Sequence, residues 1–180
     1  MDILLHICCG PCLIYPFNRL SEKGFNLKGF YYNPNIYPPE EYGKRKEALD
    51  FLSKDLQLEV ESPQYRQSDF AQAINTEVNK PQRCLLCWSL RLQKTARQAK
   101  EDGLSLFSTT LLVSPYQDHA LLKQLGEEIA KDTGIDFYYE DFRPGFRRAY
   151  KEAGQRGLYL QKYCGCAYSM QRKVCEVNEK

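Results

Sequence analysis

Short apolar runs alternate along this chain with longer stretches whose apolar positions recur every three to four residues. The run from Asp2 to Ile7 predicts a buried strand, followed at once by Cys8-Cys9-Gly10-Pro11-Cys12. Asn26–Tyr32, Leu58–Glu61, Leu104–Ser108 and Phe137–Tyr139 read as four further strands. Between them, helices are expected over Leu13–Lys23, Glu40–Leu56, Ser68–Val78, Cys84 to about Glu101, and His119–Thr133. Ala48, Leu49 and Leu52 give the second helix its apolar stripe, and acidic residues at its start suit a helix N-terminus. Ser68 or Asp69 is expected to cap the third. Pro16 fits the first helix only if it lies near the first turn. From Gly145 onward the tail reads as mixed helix and loop.

Strand alternating with helix predicts an α/β fold, a parallel sheet with helices on both faces. No repeat, low-complexity tract or linker interrupts the chain, so residues 1–180 are expected to form a single catalytic domain. A cysteine-bearing insertion around Gln82–Arg91 and the C-terminal segment are expected to fold over one edge. Ligands of such sheets bind beyond the carboxyl ends of the strands. Three groups of polar residues fall there: Cys8 to Cys12, then Thr109, Thr110 and Ser114, and finally Asp141.

Composition narrows the class. The 180 residues are 27% charged and 43% hydrophobic, ordinary values for one globular domain. Eight cysteines are too sparse for a disulfide-scaffolded mini-domain. No apolar run approaches the roughly 18 residues of a membrane helix, and Met1–His6 lacks the basic start of a signal peptide. The expectation is a cytoplasmic domain with no membrane partner, whose cysteines do chemistry. Charge is uneven: 16 Lys/Arg face 20 Asp/Glu up to Phe142, and 9 face 3 from Arg143 onward. Arg143, Arg147, Arg148, Lys151, Arg156, Lys162, Arg172 and Lys173 carry the basic tail, interleaved with Phe146, Tyr150, Tyr159, Tyr163 and Tyr168. Such a segment neutralises phosphates and stacks on bases, or is a solvated helix face.

Cys8, Cys9 and Cys12, Cys84 and Cys87, and Cys164 and Cys166 form three sets, with Cys175 left as a structural remainder. One C-x-x-C means little, but several sets in one small chain point to a zinc or an iron–sulfur cluster. Seven thiols exceed one four-ligand site, so some must hold a second metal or cycle as a dithiol. Two partial matches fail. Cys9-Gly10-Pro11-Cys12 spells a thioredoxin active site without the preceding tryptophan. Pro81 to Cys87 spells half of a zinc-deaminase signature without its His-x-Glu partner, and His6 reads as a core histidine. No phosphate-binding loop supports ATP use.

Taken together the strings resemble one family, QueH, the cobalamin-independent epoxyqueuosine reductases of tRNA queuosine biosynthesis. The matching stretches are His6 to Cys12, Tyr32 to Ile36 with Glu41-Tyr42 and Arg45, Arg83 to Cys87 with Arg91-Leu92, Thr109 to Leu111 with Ser114-Pro115, Asp141 to Arg143, and Tyr163 to Cys166. Leu160-Gln161-Lys162 stands where an Arg-Gln pair is common in the family.

The resemblance implies an adenine nucleotide alpha hydrolase-like fold without its ATP loop. It also implies a 4Fe-4S cluster and reductive removal of the epoxide oxygen from epoxyqueuosine at the wobble position of tRNA. On it we place the cluster on Cys8, Cys9, Cys84 and Cys87, with Cys164 and Cys166 as a redox pair. A second arrangement stays open, in which a mononuclear ion, iron by expectation, uses Cys12, Cys164, Cys166 and Asp141, with Cys8 shared. Asp141 alternatively donates a proton or pairs with Arg143. Asn33 and Asn35 are candidates for substrate hydroxyls. Arg45, Arg83, Arg91, Arg143, Arg147 and Arg148 are candidates for tRNA contacts. The expected partners are tRNA carrying an unstacked wobble base and an unidentified electron donor. The competing readings are a tRNA sulfur transferase on a similar fold and a non-catalytic, zinc-stabilised RNA-binding module.

Overall fold

Ile3, Leu4 and Leu5 are fully buried because β1 (Asp2–His6) is the central strand and is covered on both faces. In the computed structural model, which describes residues 1–170, it pairs on one side with β2 (Asn26–Phe30) and on the other with β4 (Leu106–Thr109). β3 (Val60–Glu61) and β5 (Asp136–Phe137) form the edges, giving the order β3-β2-β1-β4-β5 with every pair parallel. The expected five-stranded parallel sheet is therefore present. Cys175, Arg172 and Lys173 lie outside the described residues.

The connections correct several boundaries. α1 (Gly10–Glu22) starts three residues before the expected Leu13, because Pro11 sits in its first turn, where a missing N–H costs little. Cys12 is thereby placed on the first turn of a helix. Pro16 is not near that turn; it lies inside α1 and leaves the Cys12 carbonyl without its helical donor. α2 (Pro39–Asp55) matches its expected span closely. α3 (Gln67–Ile74) is shorter than expected and ends at Asn75 in a positive-φ conformation. Neither Ser68 nor Asp69 caps it; Asp69 instead accepts the Tyr32 hydroxyl at 2.9 Å.

The cysteine-bearing segment Gln82–Arg91 forms the first half of α4 (Gln82–Glu101), a 20-residue helix that buries Trp88, Leu92, Ala96 and Ala99. α5 (His119–Thr133) holds its expected ends: Asp118 accepts the Leu121 N–H at 3.0 Å, and Gly134 closes it at φ 73. The tail does fold back, as α6 (Phe146–Gln155) packed on α1. Gly145 makes that approach possible, since a Cβ there would lie 1.9 Å from the Tyr15 ring. Beyond α6 the chain returns to the sheet's carboxyl rim. There Cys166 joins Phe70, Ile74 and Cys87 in a small buried cluster separate from the main core. Among the described residues no helix is long and apolar enough to cross a membrane.

Candidate functional site

β1 and β4 are neighbours, and the sheet order reverses between them, so their carboxyl ends open a crevice. The two ends are tied together: the Cys8 amide donates to Thr110 Oγ1 at 3.0 Å, and that hydroxyl lies 3.2 Å from Cys8 Sγ. Below them His6 is fully buried, with its ring nitrogens 2.9 Å from Thr109 Oγ1 and 3.3 Å from the Tyr32 carbonyl. Burial lowers its pKa to about 3, so it is a neutral core residue, as its sequence position implied. Above them a cavity of about 660 Å³ is lined by Cys8, Cys12, Cys84, Cys87, Cys164 and Cys166. Three separated cysteine sets thus meet at one place.

The sulfurs fall into two walls. Cys8, Cys9 and Cys12 have their Sγ atoms all within 4.8 Å of one another, with Cys8 and Cys9 3.8 Å apart. A tetrahedral ion with metal–sulfur bonds of about 2.3 Å spaces its sulfurs about 3.8 Å apart, so the triad fits one soft ion. Among the described residues no other group of three ligating side chains is so close. Hydrogen bonds from Cys12 and Cys9 hold the Cys8 thiol well below its ordinary range, against burial. The same bonds hold Cys12 up, while burial pushes Cys9 up. Cys9 does not face the cavity with Cys84 and Cys87, which sets it apart from the cluster quartet expected for it.

On the other wall Cys164 and Cys166 are 3.8 Å apart, and the Ser169 hydroxyl lies 3.0 Å from Cys164 Sγ. Cys166 donates to Cys164, which lowers the acidity of the donor and raises that of the acceptor. Burial pushes Cys87 up to about 11. Gly165 permits this turn: its φ is +120, and a Cβ would meet Asn35 Nδ2 and Ile36 Cγ1 at 3.1 Å. Arg45, 3% exposed, fixes the turn from α2 by donating to the carbonyls of Tyr163 at 3.0 Å and Cys164 at 3.3 Å. Glu41 holds Arg45 at 2.7 Å and accepts the Tyr159 hydroxyl at 2.5 Å.

The remaining expected site residues divide between cavity and surface. Arg91 lies among the thiols, 4% exposed, with one Nη 2.7 Å from Asn33 Oδ1 and the other 4.0 Å from Cys87 Sγ. Its charge favours thiolate at Cys8 and Cys87. Asn33 also donates to the Ile7 carbonyl at 2.8 Å, so it braces β1 rather than meeting the cavity. Arg83 is buried against the Tyr168 ring, 4.7 Å away, and donates to the Val78 carbonyl. These guanidinium groups, with Arg45, are buried in the cavity lining and not spread over the outer surface.

Asp141 is also placed differently. It does not line the cavity; Arg143 holds both its oxygens, at 2.6 and 2.8 Å, and lowers its pKa to about 2. Such a carboxyl is held in its ionised form by its neighbour and lies outside the cavity lining. Arg143, Arg147 and Arg148 are solvent-exposed around the start of α6 and outside the cavity wall.

Asn35 Oδ1, Arg83 Nη2, Arg91 Nε and Gln161 Oε1 are buried without a hydrogen-bond partner, and all four side chains line the cavity. Polar atoms in that state mark a place for a ligand's own hydrogen-bonding groups. Gln161 was missed as a site residue. Its Nε2 lies 2.8 Å from Cys9 Sγ, 3.6 Å from Cys12 Sγ and 2.8 Å from the Tyr150 hydroxyl. Its place three residues before Cys164, in the stretch compared with the family's Arg-Gln pair, is the signal that could have marked it. Tyr116, Phe146 and Tyr150 also line the cavity; the last two drew notice only as aromatics of a basic tail.

Comparison with known proteins agrees with this geometry. The family model for epoxyqueuosine reductase QueH matches residues 3–172. A protein of that name from Dehalococcoides mccartyi is 37% identical over 168 residues, covering 93% of this chain and 91% of its own length. Another from Thermotoga maritima is 31% identical, covering 99% of this chain and 96% of its own length. Among solved structures, a predicted subunit of a tRNA methyltransferase from Methanocaldococcus jannaschii superposes with a TM-score of 0.58 at 14% identity. It covers 86% of this chain and 74% of its own. That likeness shows a shared parallel α/β fold and nothing further. The sequence match, spread over nearly all the chain and carrying the three cysteine sets, places the protein in the epoxyqueuosine reductase QueH family of oxidoreductases.

Proposed function

We propose that this chain reduces epoxyqueuosine in the anticodon loop of tRNA to queuosine. The observation that carries the reading is the convergence of six thiols from three distant segments on one cavity of about 660 Å³. That volume suits one extruded nucleotide and not a duplex. The epoxide takes up two electrons and two protons; both C–O bonds break, the alkene forms, and the oxygen leaves as water. No single ordinary side chain supplies those electrons, but sulfur-ligated iron or a dithiol does.

The donor set supports two centres. Cys8, Cys9 and Cys12 have the spacing for a single ion, iron in this reading, which would act on the epoxide oxygen as a Lewis acid. Cys84, Cys87, Cys164 and Cys166 remain as the four thiolates of a 4Fe-4S cluster. This division replaces the expected pairing of Cys8 and Cys9 with Cys84 and Cys87. Around the centres the chain's own groups bind and orient. Arg91 offsets the negative charge of the sulfurs. Asn35 Oδ1 and Arg83 Nη2 offer free hydrogen-bonding positions to substrate hydroxyls. The exposed Arg147 and Arg148 remain available for phosphate contacts, and a tRNA substrate puts the reaction in the cytoplasm.

The 3.8 Å approach of Cys164 and Cys166 favours a second reading of that wall alone. As a dithiol closing to a disulfide, the pair would itself release two electrons and two protons. Iron, zinc and acid-labile sulfide, measured on anaerobically reconstituted protein together with turnover of epoxyqueuosine tRNA, test the proposal. The expected result is about four sulfides and about five irons per chain, with reduction by a low-potential donor. A single zinc without sulfide, and no turnover, would overturn it in favour of an RNA-binding module. A stoichiometric Cys164–Cys166 disulfide after one turnover would select the dithiol.

A further inference from the structure

Tyr116 is 82% exposed, the most exposed large hydrophobic side chain among the described residues, yet it lines the same cavity as the cysteines. A ring so exposed contributes little to folding. Its centroid is 6.0 Å from that of Phe146, edge to face at 85°. Phe146 lies 4.5 Å from Tyr150, whose hydroxyl meets the Gln161 amide beside Cys9 and Cys12. Three rings therefore run in sequence from solvent to sulfur along one wall.

Their positions are fixed from behind. Gly145 lets the start of α6 close onto the Tyr15 ring, which sets Phe146 at the cavity. The surroundings are cationic: exposed Lys80 and Lys162 line the same cavity, and Arg147 and Arg148 follow Phe146 in the chain. Aromatic faces within a cationic rim are the combination that holds an unstacked base on its phosphate backbone.

We infer that Tyr116, Phe146 and Tyr150 form an aromatic ladder that seats the unstacked wobble nucleobase of an RNA loop, with the base at the outer rings and its side group directed inward to the thiols. The inference deepens the proposed function and rests on it for the identity of the RNA.

The test is a binding cycle on the full chain, read by fluorescence anisotropy. The probes are an anticodon stem–loop with guanine at the wobble position and the same stem–loop abasic there. Tyr116→Ala is expected to weaken binding of the guanine stem–loop on the order of 10-fold and to leave the abasic one unchanged; Tyr116→Trp should retain wild-type affinity. Because Tyr116 is at the surface, its variants fold irrespective of the outcome; Phe146→Ala extends the cycle to the inner ring. Equal weakening of both stem–loops, or of neither, would overturn the ladder. Wild-type protein that reduces epoxyqueuosine tRNA without this base-dependent coupling would sink the ladder alone. Coupling without any reduction would uphold the ladder and sink the reductase reading.

Discussion

Cys8, Cys9 and Cys12 fall within five consecutive positions where the central strand turns into a helix, whereas Cys164 and Cys166 stand on a turn of the C-terminal segment. The first wall inherits the rigidity of the core: Cys9 and Cys12 are buried, and β1 behind them is covered on both faces. Cys164 is exposed, and its turn is held by Arg45 and by the Tyr37 N–H on the Gly165 carbonyl at 2.8 Å. One wall is therefore secured by packing and the other by a few polar bonds. An ion on the triad would rest on the stronger wall, and a cluster that includes Cys164 and Cys166 would depend on the weaker one for its integrity.

The strongest test of that contrast removes one ligand from each wall. Cys12→Ser is expected to cost at least about 100-fold in turnover while leaving labile sulfide intact; Cys164→Ser should lose the sulfide as well as the turnover. Equal sulfide loss in both variants would show that the walls share one centre. Next in size, Arg45→Met strands the buried Glu41 and releases the Tyr163–Cys164 carbonyls. It should lower stability to urea by about 3–5 kcal/mol and abolish cluster retention. A change near zero would mean that the turn is held by other bonds.

Gln161→Leu sharpens the comparison from the core side. It removes the amide beside Cys9 and Cys12, and should weaken metal binding by the triad about 10- to 100-fold in a chelator competition, with folding intact. Unaltered affinity would leave Gln161 a packing residue. The smallest effect belongs to Asp141→Asn. The carboxyl's pKa is depressed to about 2, so its stabilisation is full above the unfolded value of 3.8 and disappears as pH falls toward 2. Because the pair with Arg143 is at the surface, the loss in thermal or urea unfolding should stay below about 1 kcal/mol, with turnover little changed. A large drop in turnover would return Asp141 to the reaction.

The chain order of strands and helices was legible because each element carries its own period. The short apolar run Ile3–Leu5 ahead of a Gly-Pro break suits a buried strand, and Asp118 with Gly134 brackets α5 by local capping chemistry. Placement of Cys8 at a strand end followed from that order, and the three cysteine sets and the family resemblance followed from spacing. Boundaries were less legible where a proline has two permitted positions, as Pro11 and Pro16 do in α1.

What the sequence alone determined was the inventory: a parallel α/β sheet, seven thiols in three sets, and a basic aromatic tail. Only the tertiary structure decided the assignments. It grouped Cys12 with Cys8 and Cys9, buried Arg45, Arg83 and Arg91 behind the sulfurs, and left Asp141 to its neighbour Arg143. It also brought Gln161 to Cys9 and Tyr116 to the cavity mouth. The physical reason is range. Strand and helix periods, caps and C-x-x-C spacings are local properties of the chain. Which charge meets which thiol depends on contacts between residues more than 100 positions apart, such as the hydrogen bonds joining Arg45 to Cys164 and Gln161 to Cys9.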